Sequence, residues 1–98
     1  NETVTVSFTS TDACGNTTVE TKDFIVNDVT APVVTVPAAA LTMECFDAAL
    51  VDAWTATASA NDNCDGATVV TPTYVAPATN CNETVTVSFT STDACGNT

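Results

Sequence analysis

Apolar residues alternate with threonine and serine near the start of the chain. Val4, Val6 and Phe8 fall on one face of an extended backbone, and threonine or serine lies between them. A period of two predicts a β-strand with one face buried. Turn-forming residues at 12–16 and a second strand-like run over 17–26 follow, so this part of the sequence predicts a β-hairpin.

The middle of the chain predicts short strands around one helical turn. Residues 33–36 have the composition of a strand, which we expect to continue beyond a proline at 41–45. Asp47 is a favourable helix N-cap, and Leu50 and Trp54 follow at helical spacing. We therefore predict a short helix that begins after Asp47, with Trp54 as the anchor of the core.

Two more strands complete the pattern. Residues 68–75 form one, and Pro72 places it at a sheet edge or bulge. Residues 83–92 repeat the first strand of the chain. Strands at this spacing, separated by polar turns, predict an all-β fold, an antiparallel β-sandwich.

The first 17 residues recur unchanged at 82–98, so the sequence has a period of 81 residues. An identity of this length indicates a tandem array of one supersecondary unit. We expect residues 1–28 to be the C-terminal hairpin of one repeat and 29–31 to be a linker. Residues 32–98 are then the next repeat without its final strand.

Charge excludes several classes of partner. The sequence has twelve aspartates and glutamates but one cationic side chain, Lys22, and its formal net charge is -11. Such a chain repels phosphate backbones and anionic lipids. Its apolar runs are too short to span a bilayer. We expect no nucleic-acid partner and no membrane insertion.

The cysteines indicate an oxidising compartment. They lie at five positions, Cys14, Cys45, Cys64, Cys81 and Cys95. The first and last occupy the same place in the repeat, so each period carries an even number, which in a small loop-rich unit predicts two disulfides and an extracellular location. Zinc is less favoured, because the sequence has no histidine and no Cys-x-x-Cys pair.

Two segments carry a family resemblance. Thr-Asp-Ala-Cys-Gly-Asn at 11–16, followed by Phe-Ile-Val-Asn-Asp-Val-Thr-Ala-Pro-Val-Val at 24–34, resembles the hyalin-type, immunoglobulin-like repeats of very large surface adhesins, especially those of gliding and gut Bacteroidota. The resemblance covers nearly the whole period. It implies an immunoglobulin-like sandwich with an adhesive or stalk role at the cell surface.

An immunoglobulin-like fold also suggests how the cysteines pair. The loops around Cys64 and Cys95 then lie at the N-terminal end of the domain, which favours a bridge between them. Cys45 and Cys81 lie at the opposite end and form the second pair. Cys14 has its partner in the preceding repeat. Four cysteines allow other connectivities, which stay open at this point.

The same end of the domain gathers carboxylates. Asp28 in the linker, Asp62 and Asp65 in one loop and Asp93 in another are candidate ligands for calcium, which takes about six to eight oxygen atoms. The linker at 27–32 is also similar to the calcium-binding junction of cadherins. A calcium ion there is expected to stiffen the joint between repeats. The alternative is that these residues form turns and keep the chain soluble.

Catalysis has no support in the sequence. The chain has neither histidine nor arginine, and it lacks a nucleophile elbow and a phosphate-binding loop. We therefore expect no enzyme but a structural repeat of an extracellular stalk or fibre, in contact with neighbouring repeats of the same polypeptide. The alternative is a module that binds glycans or proteins directly, and other regions of the polypeptide are expected to reach surface glycans or proteins.

Overall fold

The structure is a computed structural model and describes residues 2–98 of the chain. The elements in chain order are β1 (Glu2–Thr11), β2 (Thr17–Val26), β3 (Val33–Thr35), α1 (Ala48–Thr55), β4 (Ser59–Asp62), β5 (Gly66–Thr68), β6 (Val70–Thr73) and β7 (Ser88–Ser91). The strands form small antiparallel sheets in the orders β1-β2, β3-β4-β5 and β6-β7. The fold is therefore mainly β and antiparallel, as predicted, and it extends over 88 × 18 × 16 Å.

The predicted hairpin is confirmed. Strands β1 and β2 pair without interruption from Glu2 opposite Val26 to Thr11 opposite Thr17. Asn1, with which the predicted hairpin begins, lies outside the described residues. The domain limits placed at 28 and 32 stay predictions.

The hairpin turn is closed by one aspartate. Asp12 Oδ1 accepts hydrogen bonds from the backbone N–H groups of Cys14 and Asn16, both at 2.9 Å, and Asp12 Oδ2 accepts one from Asn16 Nδ2 at 2.8 Å. Gly15 has φ +87°, a conformation that favours glycine. The identical residues at 93–98 fold into the same turn, so this geometry is local and encoded by the sequence.

The second copy of the first strand is shorter than predicted. Only Ser88–Ser91 of the segment 83–92 is a strand, whereas β1 has ten residues. The difference lies in the partner, because β1 pairs with ten residues of β2 and β7 pairs with four residues of β6. Burial differs as well, since Phe8 is 60% exposed and its counterpart Phe89 is half-buried.

The middle of the chain follows the prediction in part. The strand near 33–36 and the helix capped by Asp47 are confirmed, and the Asp47 side chain accepts a hydrogen bond from Ala49 N at 2.9 Å. The predicted strand at 41–45 is wrong, because this segment bends and pairs with no strand among the described residues. Its chain lies beside the start of the helix, where Met43 Sδ accepts from the backbone N–H of Asp47 at 3.2 Å.

The predicted strand over 68–75 divides into two. Strand β5 pairs with β4 and strand β6 pairs with β7, so the break falls at Val69. The carbonyl of Val69 accepts the Ser91 hydroxyl at 2.8 Å, and the same hydroxyl lies 2.7 Å from Thr68 Oγ1. At the break, the Ser91 hydroxyl therefore replaces a backbone N–H of a neighbouring strand as the hydrogen-bond donor to Val69. Pro72 lies in a two-stranded sheet, in agreement with the predicted edge position.

The core is small and lies between the helix and the central sheet. Val51 and Ala60 are its buried apolar residues, at 7% and 6% exposure. Trp54 contacts Phe89 edge to face, with ring centroids 6.1 Å apart, and its Nε1 donates to the carbonyl of Ala39 at 2.7 Å. Trp54 itself is half-buried, and its role as the anchor of the core stays a prediction. No helix among residues 2–98 has the length and hydropathy to cross a membrane.

Candidate metal centre

The four aspartates predicted to bind calcium come together. Asp28 follows β2, Asp62 ends β4, and Asp65 precedes β5. Asp93 lies in the turn after β7. Two groups of ligand atoms form, each with its atoms within 4.8 Å of one another: Asp28, Asp62 and Cys64 in one, and Asp28, Asp65 and Asp93 in the other. Asp28 belongs to both groups, so the linker residue is the centre of the cluster.

The loop between β4 and β5 is organised by Asp62. Its Oδ1 accepts hydrogen bonds from the backbone N–H groups of Cys64 at 2.8 Å and Asp65 at 2.9 Å, which is an Asx turn. Asp65 Oδ2 in turn accepts the backbone N–H of Ala94 at 2.7 Å. This bond joins residues 29 positions apart and holds the two loops of the cluster against each other.

The turn after β7 connects the cluster to the linker. Asp93 Oδ1 accepts from the backbone N–H groups of Cys95 at 2.9 Å and Asn97 at 2.8 Å, and its Oδ2 accepts Asn97 Nδ2 at 2.7 Å. Asn97 Nδ2 also donates to the carbonyl of Asp28 at 3.1 Å. Sequence reasoning missed Asn97, because nothing in a turn motif shows that its amide reaches a residue 69 positions away.

Two oxygen atoms of the cluster are buried without a hydrogen-bond partner. They are Asp62 Oδ2 and Asp28 Oδ2, and the Asp62 side chain is only 3% exposed. Buried carboxylate oxygens are nearly always paired, since burial without a partner costs their hydration. The sequence supplies one cationic side chain, and Lys22 lies in β2 opposite Val6. These oxygens and the surrounding negative charge fit a bound cation.

The electrostatic surroundings also act on Cys64. Burial raises the pKa of its thiol, and the negative charges of Asp28 and Asp62 raise it further. The group is therefore a neutral thiol at neutral pH, which makes it a poor nucleophile. Cys64 was predicted as half of a disulfide, and its place in the first group of ligand atoms was not anticipated.

Comparison with known proteins leaves the site to be interpreted from its own geometry. No protein family, no curated protein and no solved structure matches the chain. Charge, burial and hydrogen bonding therefore carry the functional interpretation below.

The predicted disulfide partners lie in segments that contact each other. The backbone N–H of Phe46 donates to Asn80 Oδ1 at 3.1 Å, which brings the neighbours of Cys45 and Cys81 together. The bond from Ala94 to Asp65 does the same for the neighbours of Cys95 and Cys64. Cys14, Cys45, Cys64 and Cys81 form no disulfide in the structure, so both pairings stay predictions.

An open cleft lies beside the helix and has both apolar and polar walls. Its volume is about 810 Å³, and its walls include Met43, Phe46, Trp54, Tyr74 and Val87. Phe46 and Tyr74 meet edge to face across it, with ring centroids 6.3 Å apart. Sequence reasoning did not find this cleft, because it interpreted the apolar residues of the segment 41–45 as strand positions.

Stability is expected to fall in acid as Asp93 is protonated. Burial raises the pKa of Asp93, but hydrogen bonds from the Asn97 side chain and from the backbone of Asn97 and Cys95 outweigh it, so the pKa lies below its ordinary value of 3.8. A lowered folded pKa gives stability that is complete above pH 3.8 and is lost as the pH falls through the folded value. Thermal melts between pH 6 and pH 2 measure this loss.

The variant Asp93→Asn provides the control for the acid melts. It cannot ionise at this position, and its melting temperature is expected to change less between pH 4 and pH 2 than that of the wild type. An equally steep fall in the variant would assign the acid sensitivity to other carboxylates.

Proposed function

We propose that the chain is part of an extracellular adhesin stalk or surface fibre at the cell surface. In this proposal an immunoglobulin-like sandwich of 81 residues, stapled by two disulfides, repeats along the polypeptide and supplies length and mechanical stability. Its partners are the neighbouring repeats. The proposal includes no enzymatic activity, and other parts of the polypeptide are left to bind surface glycans or proteins.

The observation that carries the proposal is the recurrence of 17 identical residues after 81 positions. Both copies close the same turn, with the two backbone bonds to the aspartate at 2.9 and 2.9 Å in one and 2.9 and 2.8 Å in the other. A long axis of 88 Å against cross-sections of 18 and 16 Å supports an arrangement in series.

Exposed apolar residues support neighbouring repeats as the partners. Phe24, Ile25 and Val26 at the end of β2 are 51%, 71% and 55% exposed. Phe24 and Val26 lie on one face of the strand and Ile25 on the other, so apolar side chains on both faces are available to a neighbouring repeat. Pro32 follows shortly after β2 and restricts the linker to an extended backbone, which limits bending between units.

Scattering from longer arrays tests the proposal. We expect polypeptides of two, four and six 81-residue periods to gain an equal length with each period, by about 35 Å, the span of a ten-residue strand. Near-identical repeats are also expected in the coding sequence on both sides. A maximum dimension that levels off as periods are added would indicate a compact association and contradict the stalk.

The open cleft favours a second function, direct binding of a glycan or a protein side chain. Its volume of about 810 Å³ lies in the range of small-ligand sites, and Trp54 and Tyr74 give it aromatic walls. Retention of the protein on a glycan array, lost in the variant Tyr74→Ala, would support this function over a purely mechanical one.

A further inference from the structure

We propose that calcium binds at Asp28, with Asp62 on one side and Asp65 and Asp93 on the other, and that it fastens the linker to the two loops. This site does not depend on the stalk function. It rests on the carboxylate cluster and on a separate observation, the buried Oδ2 of Asp62 that has no hydrogen-bond partner. Burial of a carboxylate oxygen without a partner is costly, and a cation bound beside Asp62, which is 3% exposed, offsets this cost.

The irregular arrangement of the ligands favours calcium over magnesium. Calcium–oxygen distances are about 2.3–2.6 Å, so ligands on opposite sides of the ion are about 5 Å apart. Magnesium distances of about 2.0–2.1 Å bring them to about 4 Å and require a strict octahedron. Each group has its ligand atoms within 4.8 Å of one another and is drawn from separate segments, and such an irregular set suits the flexible coordination of calcium better than a strict octahedron.

The chemistry of the donors points the same way. The four aspartates supply carboxylate oxygen, the ligand that hard cations prefer. The remaining candidate, Cys64, offers a sulfur atom, a soft donor that suits calcium poorly. Extra oxygens for the coordination sphere are available from backbone carbonyls and water, as is usual for calcium.

The site has a mechanical consequence because its ligands come from three separate segments. Asp28 belongs to the linker that follows the hairpin, whereas Asp62 and Asp93 belong to loops of the β-rich unit after it. In the structure, the turn after β7 contacts the linker through a hydrogen bond from Asn97 Nδ2 to the carbonyl of Asp28. Calcium adds charge-assisted bonds at this joint and is expected to restrict the hairpin.

Thermal melting of the full chain in EDTA and in 10 mM calcium tests the site. Extracellular modules bind calcium at about 10⁻⁴–10⁻³ M, and ligand linkage then raises the melting temperature by about 5–10 °C. Isothermal titration with calcium alone is expected to give a dissociation constant in the same range. Relaxation of backbone ¹⁵N nuclei measures the joint, and the hairpin and the rest of the chain are expected to tumble together only when calcium is present.

Two matched variants separate the site from general charge effects. Asp62→Asn removes one buried charge, so we expect an unchanged or higher melting temperature in EDTA and no response to calcium. Asp12 is the counterpart of Asp93 in the first copy of the turn, and it belongs to neither group of ligand atoms. We therefore expect Asp12→Asn to respond to calcium as the wild type does.

Three results would overturn the proposal. They are an unchanged midpoint in calcium, an equal response in Asp62→Asn and the wild type, and an equal shift with magnesium at the same concentration. A larger shift with zinc would assign the site to the Cys64 thiol instead. None of these results affects the scattering test of the stalk, which is carried out in EDTA as well as in calcium.

Discussion

Reduction of the oxidised protein is expected to lower its free energy of unfolding by about 3–4 kcal/mol for each disulfide that opens. The two predicted bridges, Cys45–Cys81 and Cys64–Cys95, each close a loop of roughly 30–35 residues, and a loop of this length removes much of the entropy of the unfolded chain. The loops overlap in sequence, so the two contributions are expected to add incompletely. A loss of this size is large for a chain with so small a core.

The contacts beside each pair place the predicted partners in neighbouring segments. Phe46 and Asn80 are hydrogen-bonded next to one pair, and Asp65 and Ala94 next to the other, at 3.1 and 2.7 Å. The two bonds lie in different parts of the chain. Each bridge is therefore expected to form independently of the other.

Peptide mapping by mass spectrometry without reduction identifies the pairs, and urea unfolding gives the free energies. Cys45→Ser and Cys64→Ser are each expected to remove one bridge and its contribution. Cys14→Ser is the control, because the proposed array places its partner outside this chain, and the free energy of unfolding is expected to stay within about 0.5 kcal/mol. A Cys45–Cys64 link would refute the predicted pairing.

Truncation of Trp54 is expected to cost about 3 kcal/mol of stability. Trp54 lies in α1, its ring centroid is 6.1 Å from that of Phe89, and its Nε1 donates to the carbonyl of Ala39. Removal of this large, half-buried aromatic side chain loses its packing and this hydrogen bond. Trp54→Phe keeps the ring contact and loses the hydrogen bond, so its cost is expected to be about 1 kcal/mol. Urea unfolding followed by circular dichroism measures both.

The repeated segment provides an internal control for the aromatic contact. Phe8 and Phe89 have identical sequence neighbours, but Phe8 is 60% exposed and Phe89 packs on Trp54. Phe89→Ala is expected to destabilise by about 2 kcal/mol or more, and Phe8→Ala by less than about 0.5 kcal/mol. Non-additivity between the Trp54 and Phe89 variants, by about 0.5–1.5 kcal/mol, is the signature of the edge-to-face pair. Equal costs for the two phenylalanine variants would contradict this account of the core.

Local features of the fold were predictable from the sequence. The hairpin follows from alternation on both sides of a turn in which Asp12 pairs with its own backbone, and the helix follows from the cap at Asp47. Both are determined within a few residues. The clustering of the four aspartates was also predictable, because turns at one end of an antiparallel fold bring distant loops together.

Strand lengths were not predictable, because they depend on partners. Residues 2–11 and 83–92 have one sequence and yet form a long and a short strand. The break at Val69 depends on the hydroxyl of Ser91, a residue 22 positions away. The unpaired oxygen of Asp62 likewise depends on burial that loops create only after folding. Tertiary context decides each of these features.

Strand β1 and the segment 83–92 have the same sequence, so β2 can pair with either of them during biosynthesis. Loop closure favours the near one, since a turn of five residues costs about 2 kcal/mol less entropy than the connection of 56 residues over 27–82. A ribosome also releases the near strand first, so correct hairpins form before competitors emerge. At high concentration this advantage shrinks, and exchange of β2 between chains is expected to produce domain-swapped dimers.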